Sequence, residues 1–173
     1  ISGLRASSGP GIEFLEYLAP DGGRQTPVDI KSNDIAHWQT KLVVKNTNDA
    51  WTTLTQRNAT FVSSGAVAIP DAKLGFNNGL LVRDPDGYLV ELRQASSAEI
   101  AAAAPGGEVI GTAIGITVAD LDRAMAFYGE LLGFELGERR TGGEIAGFDA
   151  AITSTYCDMW PDTQAIRSRR TKH

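Results

Sequence analysis

The chain has 173 residues, of which 42% are apolar, so it can bury the core of one domain or of two small structural modules. Its formal net charge of −5 disfavours a nucleic-acid-binding surface, because phosphate binding needs a basic face. No apolar run approaches the roughly 20 residues of a membrane helix, no secretory signal stands out, and the single Cys157 fits a reducing compartment. We therefore expect a cytoplasmic protein that binds neither nucleic acid nor a membrane.

The first predicted element is a strand over residues 11–18, whose alternation places Ile12, Phe14, Glu16 and Leu18 on one face. A carboxylate on an apolar face is costly unless it is paired or bound to a cation. Glu16 is therefore expected to be either a ligand or a hydrogen-bonded partner. The segment that follows is rich in Pro, Gly, Asp and Asn, which is typical of a connecting loop.

A second strand is predicted over residues 37–44, with His37, Gln39 and Lys41 on one face. A helix is predicted over residues 46–59, because residues that can cap an N-terminus precede large residues at helical spacing. A short strand then passes into a loop.

The strongest hairpin signal is GLLVRDPDGYLVELRQ, residues 79–94, where two β-rich runs flank a DPDG turn. Pro85 and Gly87 supply the backbone angles that the turn requires. The second run places Glu91 on one face with Arg93. The pattern predicts that Glu91 is either a ligand or the ion-pair partner of Arg93 or of a base on a neighbouring strand.

Ser96 and Glu99 are spaced as a capping box before an alanine-rich helix that ends at Pro105, which predicts a linker. A strand and a helix are predicted after it, in residues 108–118 and 119–134. The helix carries an apolar stripe that is predicted to be core, formed by Leu121, Ala124, Met125, Tyr128, Leu131 and Leu132.

Two stretches repeat one pattern when Val44 is aligned with Val118. Each has a strand that ends in Val, a short polar joint and an amphipathic helix, and the tenth residue after the Val is large in both, Leu54 and Tyr128. The first copy continues through three further strands to Gln94. The repeat therefore predicts a βαβββ module.

The DPDGYLVEL hairpin, the run over residues 118–134 and the tandem βαβββ pattern resemble the vicinal oxygen chelate superfamily, which includes glyoxalase I, extradiol dioxygenases and bleomycin-resistance proteins. The resemblance implies an α+β fold in which tandem βαβββ modules form a curved mixed sheet, the glyoxalase-like fold, with one module complete and the flanking ones partial. The implied segments are the last strand or strands of a partial preceding module (1–23), a connecting loop (24–34), the complete module (35–95), a linker (96–107), a partial second copy (108–155) and an irregular tail (156–173).

The resemblance also implies a divalent metal inside the cup of paired modules, held by side chains from first and last strands. The matching positions are Gln39, Glu91 and, from the preceding module, Glu16. His37 lies on the same face as Gln39, and a small shift in register would exchange their roles. Such a set suits nickel, zinc, iron(II) or manganese. The corresponding position of the second copy is Ala113, which leaves the ligand set incomplete.

Three functions are consistent with these residues. The first is a metal-dependent lyase or dioxygenase that binds a small-molecule substrate through two adjacent oxygens, with Glu16 or Glu91 as the base. The second is a metal-free binding module of the bleomycin-resistance type, lined by aromatic residues such as Trp38 and Tyr17. The third is an inactive fragment of a longer tandem protein. A lone half-cup would expose apolar sheet, so we also expect a homodimer.

Overall fold

The computed structural model describes residues 2–19, 27, 34–35, 38–69 and 75–135. Within them, a six-stranded mixed sheet carries the fold and a two-stranded sheet precedes it. The strands are β1 (Ser2–Leu4), β2 (Ile12–Phe14), β3 (Trp38–Val44), β4 (Thr60–Phe61), β5 (Val67–Ala68), β6 (Asn78–Arg83), β7 (Leu89–Gln94) and β8 (Val109–Ile116). The helices are α1 (Thr47–Gln56), α2 (Ser97–Ala102) and α3 (Leu121–Met125), which continues into a π-helical turn, Ala126–Leu131.

The main sheet has the strand order β4–β6–β7–β3–β8, and β5 also pairs with β6. β3 and β7 run parallel, whereas β6 with β7 and β3 with β8 are antiparallel. The parallel pair is joined by α1, β4, β5 and β6, since a parallel pair requires a long crossover connection. This mixed sheet with few helices confirms the predicted α+β class and is compatible with a glyoxalase-like fold.

Side chains alternate along β3 and β7, so the sheet has two faces. We call the side that carries Leu42, Val44 and Leu92 the helix face, because α1 packs there through Trp51 and Leu54. Each of the buried aliphatic side chains contributes about 1.5–3 kcal/mol to folding. This packing fixes which residues of β3 and β7 point to the other side.

The other side, which we call the polar face, carries Gln39, Lys41 and Glu91 at its centre. Beside them, Leu81 and Leu89 pack against apolar residues of the connection between β4 and β6. The polar residues therefore lie next to a buried apolar cluster, so their surroundings are of low polarity.

Several local signals in the sequence are confirmed. Asn46 is the N-cap of α1, and its side chain accepts from the backbone of the first turn. Ser96 and Glu99 form the predicted capping box of α2. Gly87 has a φ of 87°, the positive angle that the DPDG turn demands.

The strand predicted over residues 11–18 is wrong in its extent. β2 pairs antiparallel with β1, and Ser2 lies opposite Phe14. Residues 15–19 form no strand and are exposed. Glu16 consequently lies in an exposed loop after β2 and not on the face of a strand.

The apolar stripe predicted to be core in residues 119–134 is also wrong, because Tyr128, Leu131 and Leu132 are exposed. No described strand or helix packs against these side chains closely enough to bury them. The predicted tail and the part of the second copy beyond Glu135 lie outside the described residues.

Candidate functional site

Glu91 lies at the centre of the polar face and is only 1% exposed. Its neighbours across the sheet are Leu81 on β6 and Lys41 on β3. The register with β6 is set by the tight turn between the strands, where Asp84 accepts backbone hydrogen bonds of 3.0 and 2.8 Å from Asp86 and Tyr88. The DPDG sequence thus determines which residue of β7 occupies this position.

Gln39 and Lys41 both donate to the same oxygen of Glu91. The Gln39 Nε2 to Glu91 Oε2 distance is 3.2 Å, and the Lys41 Nζ to Glu91 Oε2 distance is 3.1 Å. The ammonium balances the charge of a carboxylate that water cannot reach, which is the condition for burying a carboxylate at acceptable cost. The Lys41 side chain itself remains 24% exposed.

Two oxygens of this cluster have no hydrogen-bond partner among the described residues. They are Oε1 of Gln39 and Oε1 of Glu91, and both are buried. A buried acceptor left unpaired costs about 1–3 kcal/mol. The polar face therefore contains two buried acceptors whose hydrogen-bonding capacity no described residue satisfies.

β8 leaves room for these side chains. Ala113 lies opposite Lys41, and Gly115 lies opposite Gln39. A Cβ on Gly115 would come 2.7 Å from Cε of Lys41 and 3.0 Å from Cγ of Gln39. Small residues on this strand are thus what allows the lysine to reach across to Glu91.

Arg93, one predicted partner of Glu91, pairs instead with Glu99 of α2, with a shortest nitrogen–oxygen distance of 2.6 Å. The hydrogen bonds from Arg93 and from the backbone of Ser96 lower the pKa of Glu99 from 4.5 to about 2. The other predicted partner of Glu91 is a base on a neighbouring strand. The structure has such a base, Lys41.

The structure brings together two of the predicted site residues, Gln39 and Glu91. Glu16 is exposed in the loop after β2, and no described contact joins it to Glu91. His37 lies outside the described residues. Strand alternation places Lys41 on the same face as Gln39, but only the parallel pairing of β3 with β7 identifies its partner and adds it to the site.

The aromatic residues predicted to line the cup do not lie on the polar face. Trp38 alternates with Gln39 along β3, so it lies on the helix side, where its ring centroid is 5.8 Å from that of Tyr88. Tyr17 is exposed in the loop after β2.

The possible metal ligands among the described residues do not fit a divalent ion. Such an ion needs several ligands, and the described residues contain no group of three His, Cys, Asp or Glu side chains that could hold one. The ammonium of Lys41 already faces Oε2 of Glu91, and a second cation at this carboxylate would be repelled. The metal-ligand roles of Glu16, Gln39, Glu91 and His37 stay predictions.

Comparison with known proteins gives a family match for part of the chain. No curated protein and no solved structure gives a significant match to the chain. In the described part of the chain, no helix is long and apolar enough to cross a bilayer. Residues 112–150, which begin in β8 and include α3 and the π-helical turn, match the family described as bleomycin resistance protein-like N-terminal. The predicted resemblance to the vicinal oxygen chelate superfamily is thereby confirmed through this stretch.

Proposed function

We propose that this chain is a metal-free small-molecule-binding module of the bleomycin-resistance type, with Gln39, Lys41 and Glu91 as the polar floor of its site. The observation that carries the proposal is the ion pair between Lys41 and Glu91, 3.1 Å long, at the position where the resemblance implies a metal ligand. The lysine supplies the positive charge that a metal ion would otherwise bring to the carboxylate.

Electrostatics support this assignment. Two unit charges of like sign 4 Å apart repel by about 4 kcal/mol at the effective dielectric constant of a protein surface, and a dication doubles that figure. A metal on Glu91 would therefore have to displace the Lys41 ammonium. Ala113, which occupies the matching position of the second copy, has no side-chain atom that could bind the metal and compensate for the lost ion pair.

The polar groups also indicate the chemistry of the ligand. The ion pair is neutral as a whole, and the unpaired Oε1 atoms of Gln39 and Glu91 are acceptors. A ligand that carries neutral hydroxyl or amide donors would satisfy them, whereas an enediolate or catecholate would bring further acceptors. Lys41 and Gly115 are only half-buried, so a ligand would approach from the side of β8, where movement of the Lys41 side chain would open a path to the two buried oxygens.

A metal-dependent lyase or dioxygenase is the second candidate. One observation favours it, namely that Gln39 and Glu91, both implied ligand positions, lie within hydrogen-bond distance of each other. In that case an added ion would replace the Lys41 ammonium at the carboxylate.

The two candidates are separated by the head group that the site prefers. We would titrate the chain with benzamide, benzyl alcohol and benzoate, which share one ring and differ in their hydrogen-bond donors. The proposal expects the amide and the alcohol to bind more tightly than benzoate, and Glu91→Gln to weaken binding of the alcohol about tenfold through loss of a charge-assisted hydrogen bond. Glu108→Gln, at an exposed carboxylate, serves as the matched control.

The opposite result would be binding of catechol that depends on added nickel or zinc and is lost in Glu91→Gln but not in Glu108→Gln. That outcome would support the enzyme and contradict the metal-free module.

A further inference from the structure

A cavity lies on the helix face of the sheet, on the opposite side from the Lys41–Glu91 pair. Its volume is about 350 Å³, within the range of small-molecule pockets. One wall is the β1–β2 hairpin and the other is the sheet itself. The principal apolar wall residues are Leu4, Ile12 and Phe14 from the hairpin and Leu42, Val90 and Val109 from the sheet side. We call this space the hairpin cleft.

Hydrogen bonds attach the hairpin to β8 and set the width of the hairpin cleft. The backbone of Ser8 donates to Ile110 and accepts from Thr112, with distances of 3.1 and 3.0 Å. The Thr112 hydroxyl also donates to the carbonyl of Pro10. These bonds fix one end of the hairpin against the sheet, so the cleft between them has a definite width.

Gly9 is what permits this close attachment. Its φ is 83°, and a Cβ at this position would overlap the carbonyl oxygen of Thr112. Any other residue would have to push the hairpin away from β8. The sequence therefore specifies the spacing between the two walls.

One charged group of the cleft, Arg5, can receive an anion. Arg5 and Asp84 both line the cleft and form no ion pair with each other, and two backbone hydrogen bonds from Asp86 and Tyr88 hold Oδ1 of Asp84 within its own turn. Among the described residues, Arg5 takes part in no ion pair. Its guanidinium can thus receive a carboxylate at the edge of an otherwise apolar space.

We propose that the hairpin cleft binds a small carboxylate with an apolar tail, the tail lying between Phe14 and Val90 and the carboxylate reaching Arg5. The site is separate from the polar floor around Glu91, because the two lie on opposite sides of the sheet. It does not depend on the proposed function of that floor.

The test is a calorimetric titration with octanoate, octanol and octylamine, which share a tail and differ in the head group. We expect octanoate to bind most tightly and Arg5→Met to weaken it about tenfold, to the level of octanol. Ala6→Trp, which places a large side chain in the cleft, should abolish binding of both octanoate and octanol. Ala102→Trp, at an exposed position of α2, is the matched control and should bind as the unchanged chain does.

Two further variants establish that octanoate binding depends on the hairpin and not on the polar floor. Gly9→Ala should detach the hairpin and weaken the binding of octanoate. Circular dichroism should show that the main sheet stays folded. Glu91→Gln should leave octanoate binding unchanged, so failure here and failure of the proposed function are distinguishable. Octanoate that does not bind, or that binds equally to Arg5→Met and Ala6→Trp, would overturn the proposal.

Discussion

The ion pair between Lys41 and Glu91 predicts a large loss of stability when only the lysine is removed. In Lys41→Met the carboxylate would stay 1% exposed with no cation beside it. Breaking a buried pair in this way costs about 3–5 kcal/mol. Because the Lys41 side chain is 24% exposed, solvent already screens part of the pair, and we expect a value near the lower end, about 3 kcal/mol.

Removing both charges should recover most of that loss. In Lys41→Met/Glu91→Leu the site becomes apolar, and an apolar replacement of a buried ion pair is often neutral for stability. The double-mutant cycle should therefore give a coupling free energy of about 2 kcal/mol between the two positions.

The assay is urea unfolding at pH 7, followed by circular dichroism and with equal slopes required for all variants. Lys45→Met is the matched control. In the described part of the chain the ammonium of Lys45 donates to an exposed backbone carbonyl, that of Gly106, so its loss should cost less than about 0.5 kcal/mol. A Lys41→Met variant as stable as Lys45→Met, or a coupling near zero, would mean that the lysine does not stabilise the buried carboxylate.

Three further predictions concern other parts of the molecule. Gly115→Val should cost about 1–3 kcal/mol in the same unfolding assay, because its side chain would meet those of Lys41 and Gln39; unchanged stability would contradict the described packing. Glu99→Gln should cost about 1 kcal/mol at pH 7, a modest figure because the Glu99 side chain is 40% exposed. The folded pKa of Glu99 is depressed to about 2, so this contribution is present above its unfolded value of 4.5 and should vanish as the pH falls towards 2; a cost independent of pH would argue against the ion pair. Light scattering should show a dimer, because Ile114, Leu131 and Phe134 are exposed, and a monomer at all concentrations would count against this prediction.

The local elements could be predicted because their signals are local. The turn before β7 depends on Pro85 and Gly87, and the start of α2 depends on Ser96 and Glu99, within a few residues of each other. Strand alternation also correctly placed Gln39 on one face of β3. None of these predictions needed knowledge of how distant strands pair.

The partner of Glu91 could not be predicted in the same way. Arg93 is two residues away on the same strand, so the pattern makes it a candidate. It instead forms an ion pair with Glu99 at the start of α2. Lys41 is 50 residues away and meets Glu91 only because β3 and β7 are parallel in one register. A shift of that register by one residue would have moved the lysine to the other face.

The extent of β2 could not be read from alternation either. The alternation of residues 11–18 is a true feature of the sequence, but a strand persists only where a neighbour pairs with it. Pairing of Ser2 with Phe14 leaves Glu16 beyond the end of the small sheet. Alternation shows that a segment can form a strand, and pairing with a neighbouring strand decides how many of its residues do form one.

Metal content decides whether Lys41 takes the place of a metal ion at Glu91. The purified chain and its Glu91→Ala variant would be dialysed against nickel, zinc, iron(II) and manganese in turn and analysed by elemental mass spectrometry. We expect no stoichiometric metal in either protein. About one metal ion per chain that disappears in Glu91→Ala would contradict the metal-free site and establish Glu91 as a ligand.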